Sequence, residues 1–147
     1  MQKDTRMTDP DLDPLFVANA ARQLMVACHS AALASGWWNS GPNGEVEICS
    51  MNAGEKPERR LVQEKLVLIH SEVSEALEGH RKGRMDEHLP HRLSLEVELA
   101  DALIRICDTA GGLGLDLPGA IVEKMAYNAR RADHRPEARA AAGGKAF

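Results

Sequence analysis

Four carboxylates in this chain fall into two pairs of matched spacing. Glu72 and Glu75 lie in LVLIHSEVSEALEG (66–79), and Glu98 and Asp101 lie in LEVELAD (95–101). Residues three apart on a helix are neighbours on its surface, so each pair presents two oxygen donors one turn apart. If the two helices face one another, four carboxylates converge. Like charges about 4 Å apart repel by roughly 4 kcal/mol at an effective dielectric near 20, so such a group stays ionised only around cations. An all-oxygen donor set suits hard ions, Mg²⁺ first and Mn²⁺ as its substitute. Glu72, Glu75, Glu98 and Asp101 are therefore the expected metal ligands.

The position of Glu72 strengthens this reading. At about 100° per residue, Leu61, Val62, Leu66, Leu68, Ile69, Val73, Ala76 and Leu77 form one apolar arc. Glu72 falls inside the arc, Glu75 at its edge, and Glu78 points away. An ionised carboxylate in apolar surroundings must be paired or bound to a cation. Lys65, two turns earlier, is the protein partner within reach; a metal ion is the other compensator. On the second segment Leu95, Leu99, Ala102, Leu103, Ile106 and Ala110 form the apolar face. Glu98 and Asp101 border that face, and Arg105 and Asp108 extend the same stripe.

The elements that must carry these residues are all helical. Asp13-Pro14 is a helix start, and the first helix is expected to run to about Ser35, with Leu15, Phe16, Ala20, Leu24 and Cys28 inward and Gly36 as its stop. A long loop follows over 36–56, rich in turn formers. The second helix is expected from Pro57 to Gly79, followed by the basic run HRKGR and a polar linker over 85–92. Ser94 is the expected N-cap of the third helix, which ends at Gly111-Gly112. A fourth starts around Pro118, with Ile121, Val122, Met125, Ala129 and Ala132 as its core stripe. The periodicity predicts an all-α fold, a bundle of four to five helices over 13–132, with a flexible leader (1–12) and a flexible tail (133–147).

Two further groups can meet a ligand. Trp37 and Trp38 are the only tryptophans. They either cap the hydrophobic core or offer a flat platform to a nucleobase, a contact worth roughly 1–3 kcal/mol per base. Lys124, Tyr127, Asn128 and Arg131 share one face of the fourth helix. That face is either a solvated surface or a site for the phosphates of a substrate held partly by metal. His80, His88 and His91 lack the spacing and the cysteines of a zinc site.

Composition excludes several classes. The 147 residues suit one domain, and the net charge of -4 argues against a nucleic-acid polymer as partner. Cys28, Cys49 and Cys107 have no CxxC spacing and read as reduced thiols. No apolar run reaches the ~20 residues of a membrane span, and the N-terminus has no apolar signal core, so a cytoplasmic protein is expected.

Taken in order, ExxE (Glu72, Glu75), ExxD (Glu98, Asp101) and KMAYNARR (Lys124, Asn128, Arg131) resemble the MazG-like, all-α nucleoside triphosphate pyrophosphohydrolase superfamily. GWWN at 36–39 resembles the GFWD-like segment of its small bacterial and phage members. The resemblance covers about 36–131. It implies cleavage of a nucleoside triphosphate between the α- and β-phosphates, giving a monophosphate and pyrophosphate. It also implies Mg²⁺ on the four acids, catalysis by Glu72 or Glu75, and outgoing pyrophosphate held by Lys124 and Arg131 and oriented by Asn128. Assembly as a homodimer or homotetramer is implied as well. Many relatives read EExxE; here Ser71 stands at the first position, leaving fewer carboxylates for a general base. A relative acting on phosphoribosyl-ATP and a catalytically silent helical interaction module are the alternatives. The module would give Glu72 a side-chain partner. A di-iron carboxylate bundle needs Glu-x-x-His on two helices, and none of the six histidines has a glutamate three positions before it.

Overall fold

The structure, a computed structural model, describes residues 13–39 and 59–131. It consists of α1 (Pro14–Ala34), α2 (Arg59–Lys82), α3 (Ser94–Gly112) and α4 (Leu117–Arg130). Among the described residues there is no strand; Met85 and Leu93 form an isolated antiparallel bridge. The fold is therefore all-α. The expected leader, tail and most of the 36–56 loop, with Cys49 and Ala132, lie outside the described residues. Two compact units are formed: Gln23–Leu115, and residues 13–22 together with 116–131.

Local chemistry explains the helix ends. Asp13 Oδ1 accepts the Leu15 amide at 3.0 Å, which satisfies one of the first-turn donors of α1. Asp116 caps α4 in the same way through Gly119 N at 3.1 Å, with Pro118 in the first turn. α3 starts one residue earlier than a Ser94 cap would give, with Leu93 at the cap position and no side-chain bond there.

α2 does not stop at Gly79 as the glycine suggests; it runs to Lys82. Arg81 and Lys82 both fold back onto Glu78, holding the last turn together. Those two cations keep the Glu78 carboxyl down at about 2. The stop is Gly83, whose φ of +60° only glycine adopts freely. Gly79 has a different purpose. A Cβ there would collide with Ser94 Oγ, so the glycine lets α3 begin directly against α2.

α2 and α3 pack as an antiparallel hairpin of helices. Gly79 meets Ser94, Glu72 meets Asp101, and Lys65 meets Asp108. Each step is two turns down one helix and two turns up the other. Between them, the linker is tied by Asp86 N to Arg92 O and Ser94 N to Arg84 O, both 3.0 Å. The seam buries small residues, Ala76 and Ala102, together with Glu72.

The large aliphatic residues expected in the core are outside that seam. Leu66, Val73 and Leu77 on α2 and Leu99 and Leu103 on α3 are exposed, as are Leu15, Phe16 and Leu24 on α1. The expectation that these residues face the core is not met: the large members of the apolar arcs are exposed. Close helix approach selects the small positions for the seam and leaves the leucines facing out of the chain.

Candidate functional site

The hairpin brings three of the four predicted metal ligands together. One carboxylate oxygen from each of Glu72, Glu98 and Asp101 lies within 4.8 Å of the others. Glu72 is the most buried, at 6 % exposure. Glu75 is exposed and stands outside this trio, lining an adjacent pocket of about 260 Å³ with Glu78, Asp86 and Glu98.

The electrostatics show the strain of grouping these acids. Burial pushes the Glu98 carboxyl above its ordinary value, and the charges of Glu75, Glu72 and Asp101 push it further. Asp101 is raised by burial and by Glu72, with Arg105 pulling the other way. Glu98 and Asp101 hold their protons more tightly because burial and neighbouring carboxylates penalise their charged forms. The donor set is chemically apt for a hard divalent cation: three oxygens, no nitrogen or sulfur, converging from two rigid helices.

Glu72 has a protein partner, and it is not Lys65. Arg105 Nε lies 2.7 Å from Glu72 Oε1. Arg105 is one turn beyond Asp101 on α3 and reaches across the seam.

Lys65 belongs to a second constellation one step further along the hairpin. Its Nζ donates to Asp108 Oδ2 at 3.0 Å. Trp38 Nε1 donates to Asp108 Oδ1 at 2.7 Å, and His29 Nδ1 lies 2.9 Å from the same oxygen. An ionised carboxylate only accepts, so His29 Nδ1 carries the hydrogen. Lys65 Nζ also lies 3.9 Å from the centre of the Trp38 ring, and His29 meets that ring edge-on at 5.4 Å. The knot joins α1, the turn after it, α2 and α3. Gly112 makes room, since a Cβ there would fall inside the Trp38 indole, and a Cβ on Gly111 would come within 2.7 Å of His29 Cβ.

The tryptophans therefore divide. Trp38 is only 3 % exposed and Lys65 lies over its ring, so it takes the core alternative. Trp37 is 71 % exposed. It lines a cleft of about 280 Å³ with Lys65, Asp101, Arg105 and Asp108, bordering the acid trio.

On α4, three of the predicted substrate residues gather around one ring. Lys124 Nζ lies 4.7 Å and Arg131 Cζ 5.9 Å from the centre of Tyr127. The fourth, Asn128, has its Oδ1 buried with no hydrogen-bond partner. Cys28 and Cys107 are buried and free. Burial first, then the neighbouring Cys28, raises the Cys107 thiol above its usual range.

Sequence reasoning missed His29 entirely and gave Lys65 to the wrong carboxylate. The stripe position of Arg105 and Asp108 was visible, but not their partners, which come from elements 33 or more residues away. No family model matches the chain, and no curated protein or solved structure matches it. No described helix is long and apolar enough to cross a membrane.

Proposed function

We propose that the chain is a Mg²⁺-dependent nucleoside triphosphate pyrophosphohydrolase that cleaves between the α- and β-phosphates. The observation that carries the reading is the convergence of Glu72, Glu98 and Asp101 oxygens within 4.8 Å across the α2–α3 hairpin. The order of the ExxE, ExxD and KMAYNARR motifs supports it, as does the cleft with an exposed Trp37 beside the acids.

In this reading Glu72, Glu98 and Asp101 hold the ion. Bound Mg²⁺ supplies charge neutralisation of the triphosphate and activation of water. Glu75 stands outside the trio and is the carboxylate left to accept the proton of the attacking water. The motif resemblance implies that Lys124 and Arg131 would neutralise the departing pyrophosphate and that Asn128 would orient it. Trp37 offers its face to the base. The exposed aliphatic faces of α2 and α3 suit pairing with further copies of the chain, in a homodimer or homotetramer.

The deciding experiment is a panel of NTPs and dNTPs, with phosphoribosyl-ATP included, offered to purified protein with Mg²⁺. Pyrophosphate, not orthophosphate, is expected. Glu72→Gln and Asp101→Asn should each abolish release while helical circular dichroism is retained. No release from any substrate, together with no Mg²⁺ or Mn²⁺ uptake by calorimetry, sinks the reading. The catalytically silent helical module would then stand, since the Arg105–Glu72 ion pair already provides the side-chain partner it requires.

A further inference from the structure

We infer that Arg105 is a resident counter-ion which a divalent cation displaces from Glu72, and that the displaced guanidinium then binds a substrate phosphate in the adjoining cleft. The inference rests on the metal-dependent reading above and assigns a residue that reading leaves unused.

Arg105 borders two places at once. Its Nε sits 2.7 Å from the buried Glu72 oxygen, inside the acid trio. Its side chain also lines the cleft that holds Trp37 and Asp101. The other cation of that cleft, Lys65, is fixed by Asp108 and by the Trp38 ring. Arg105 has the more exposed side chain of the pair, 36 % against 8 % for the Glu72 side chain, so it can swing outward while Glu72 stays.

Electrostatics supply the drive. With no divalent ion, a buried carboxylate must keep a cation beside it, and Arg105 fills that role. A hard ion on Glu72, Glu98 and Asp101 satisfies the same charge with closer oxygen contacts. A guanidinium at hydrogen-bond distance from the same carboxylate would then face two like charges. Leaving is favourable, and the planar fork of a freed guanidinium can donate two parallel hydrogen bonds to the oxygens of a phosphate beside it.

The inference predicts opposite effects from one substitution. In R105Q, Mn²⁺ should bind about tenfold tighter by calorimetry, the scale of one like charge removed from a cation site. Inorganic tripolyphosphate should bind the Mn²⁺-saturated variant about tenfold more weakly, as expected for one lost charge-assisted contact. R105K, which keeps the charge, should recover part of the tripolyphosphate affinity. Unchanged or weaker Mn²⁺ binding in R105Q would overturn the inference, because an arginine that merely orients Glu72 would lower metal affinity when lost. Unchanged tripolyphosphate binding would overturn it equally. If R105Q does not fold, the wild-type chain provides the test. The Arg105 Nε–Hε resonance should move on Mg²⁺ titration, and a stationary signal from Mg²⁺-saturated protein refutes displacement. Wild-type protein that takes up neither metal refutes the proposed function itself, whereas normal uptake with no change in R105Q refutes only the role of Arg105.

Discussion

Glu72 is buried beside two other carboxylates and one arginine, so its surroundings make opposing demands on it. Folding without metal favours fewer charges there, and metal binding favours more. Asp101→Asn should therefore raise the thermal midpoint of the metal-free chain while removing Mn²⁺ uptake. Asp101 is half-buried and still partly screened by solvent, which limits the gain to about 1 kcal/mol at most. The pH dependence follows with the same sign. Glu98 and Asp101 hold protons above their ordinary values in the folded chain. The stability this contributes is fully present below the ordinary carboxylate range and is lost as pH rises through the raised values. Thermal scans of metal-free protein should show that loss, and it should shrink in Asp101→Asn. The Mg²⁺-induced rise in midpoint should grow over the same window, since the ion needs ionised ligands. A Mg²⁺ effect independent of pH there would contradict this account. The acids themselves were legible because spacing alone puts Glu72 inside one apolar arc and Glu98 and Asp101 on the border of another. The partner of Glu72 was not, because Lys65 and Arg105 are both cations within reach of the stripe, and only the hairpin register chooses between them.

The hairpin register depends on a few contacts where the helices touch most closely. Gly79→Ala drives a methyl group into Ser94 Oγ, and overpacking of this kind costs about 1–3 kcal/mol. Pairing it with Ser94→Gly should restore most of that loss in urea unfolding, and a purely additive pair would mean the contact does not limit packing. The Asp108 knot is the stronger clamp. Asp108→Asn leaves Lys65 buried without its counter-charge, and breaking a buried pair in this way costs about 3–5 kcal/mol. Urea midpoints measure it; a loss below about 1 kcal/mol, the range of exposed pairs, would mean the knot is solvated. The helices as elements were readable from periodicity and caps, with Asp13-Pro14 and Pro118 placing two starts well. The end of α2 was misjudged because Gly79 reads as a stop when it is in fact a contact point. The knot was invisible for a plain reason: His29, Trp38, Lys65 and Asp108 are ordinary residues in isolation, and nothing in local spacing announces that they meet.

For the molecule as a whole, the aliphatic faces left uncovered are the main unresolved energy. Leu77 is 67 % and Leu103 47 % exposed, and each leucine buried in an interface contributes about 1.5–3 kcal/mol. Sedimentation should show wild-type chain as a dimer or larger, with Leu77→Glu and Leu103→Glu shifting it toward monomer. A wild-type monomer at micromolar concentration would remove self-association from the proposal. The adjacent tryptophans make such changes easy to follow. One indole is enclosed by a lysine, an imidazole and a carboxylate, and its neighbour in sequence is open to water. The chain thus carries its own two-colour fluorophore. Emission from Trp38 reports whether the clamp around Asp108 is intact, and the redder emission from Trp37 reports on the cleft it lines, so any quenching by an added ligand can be read apart from unfolding in a single cuvette.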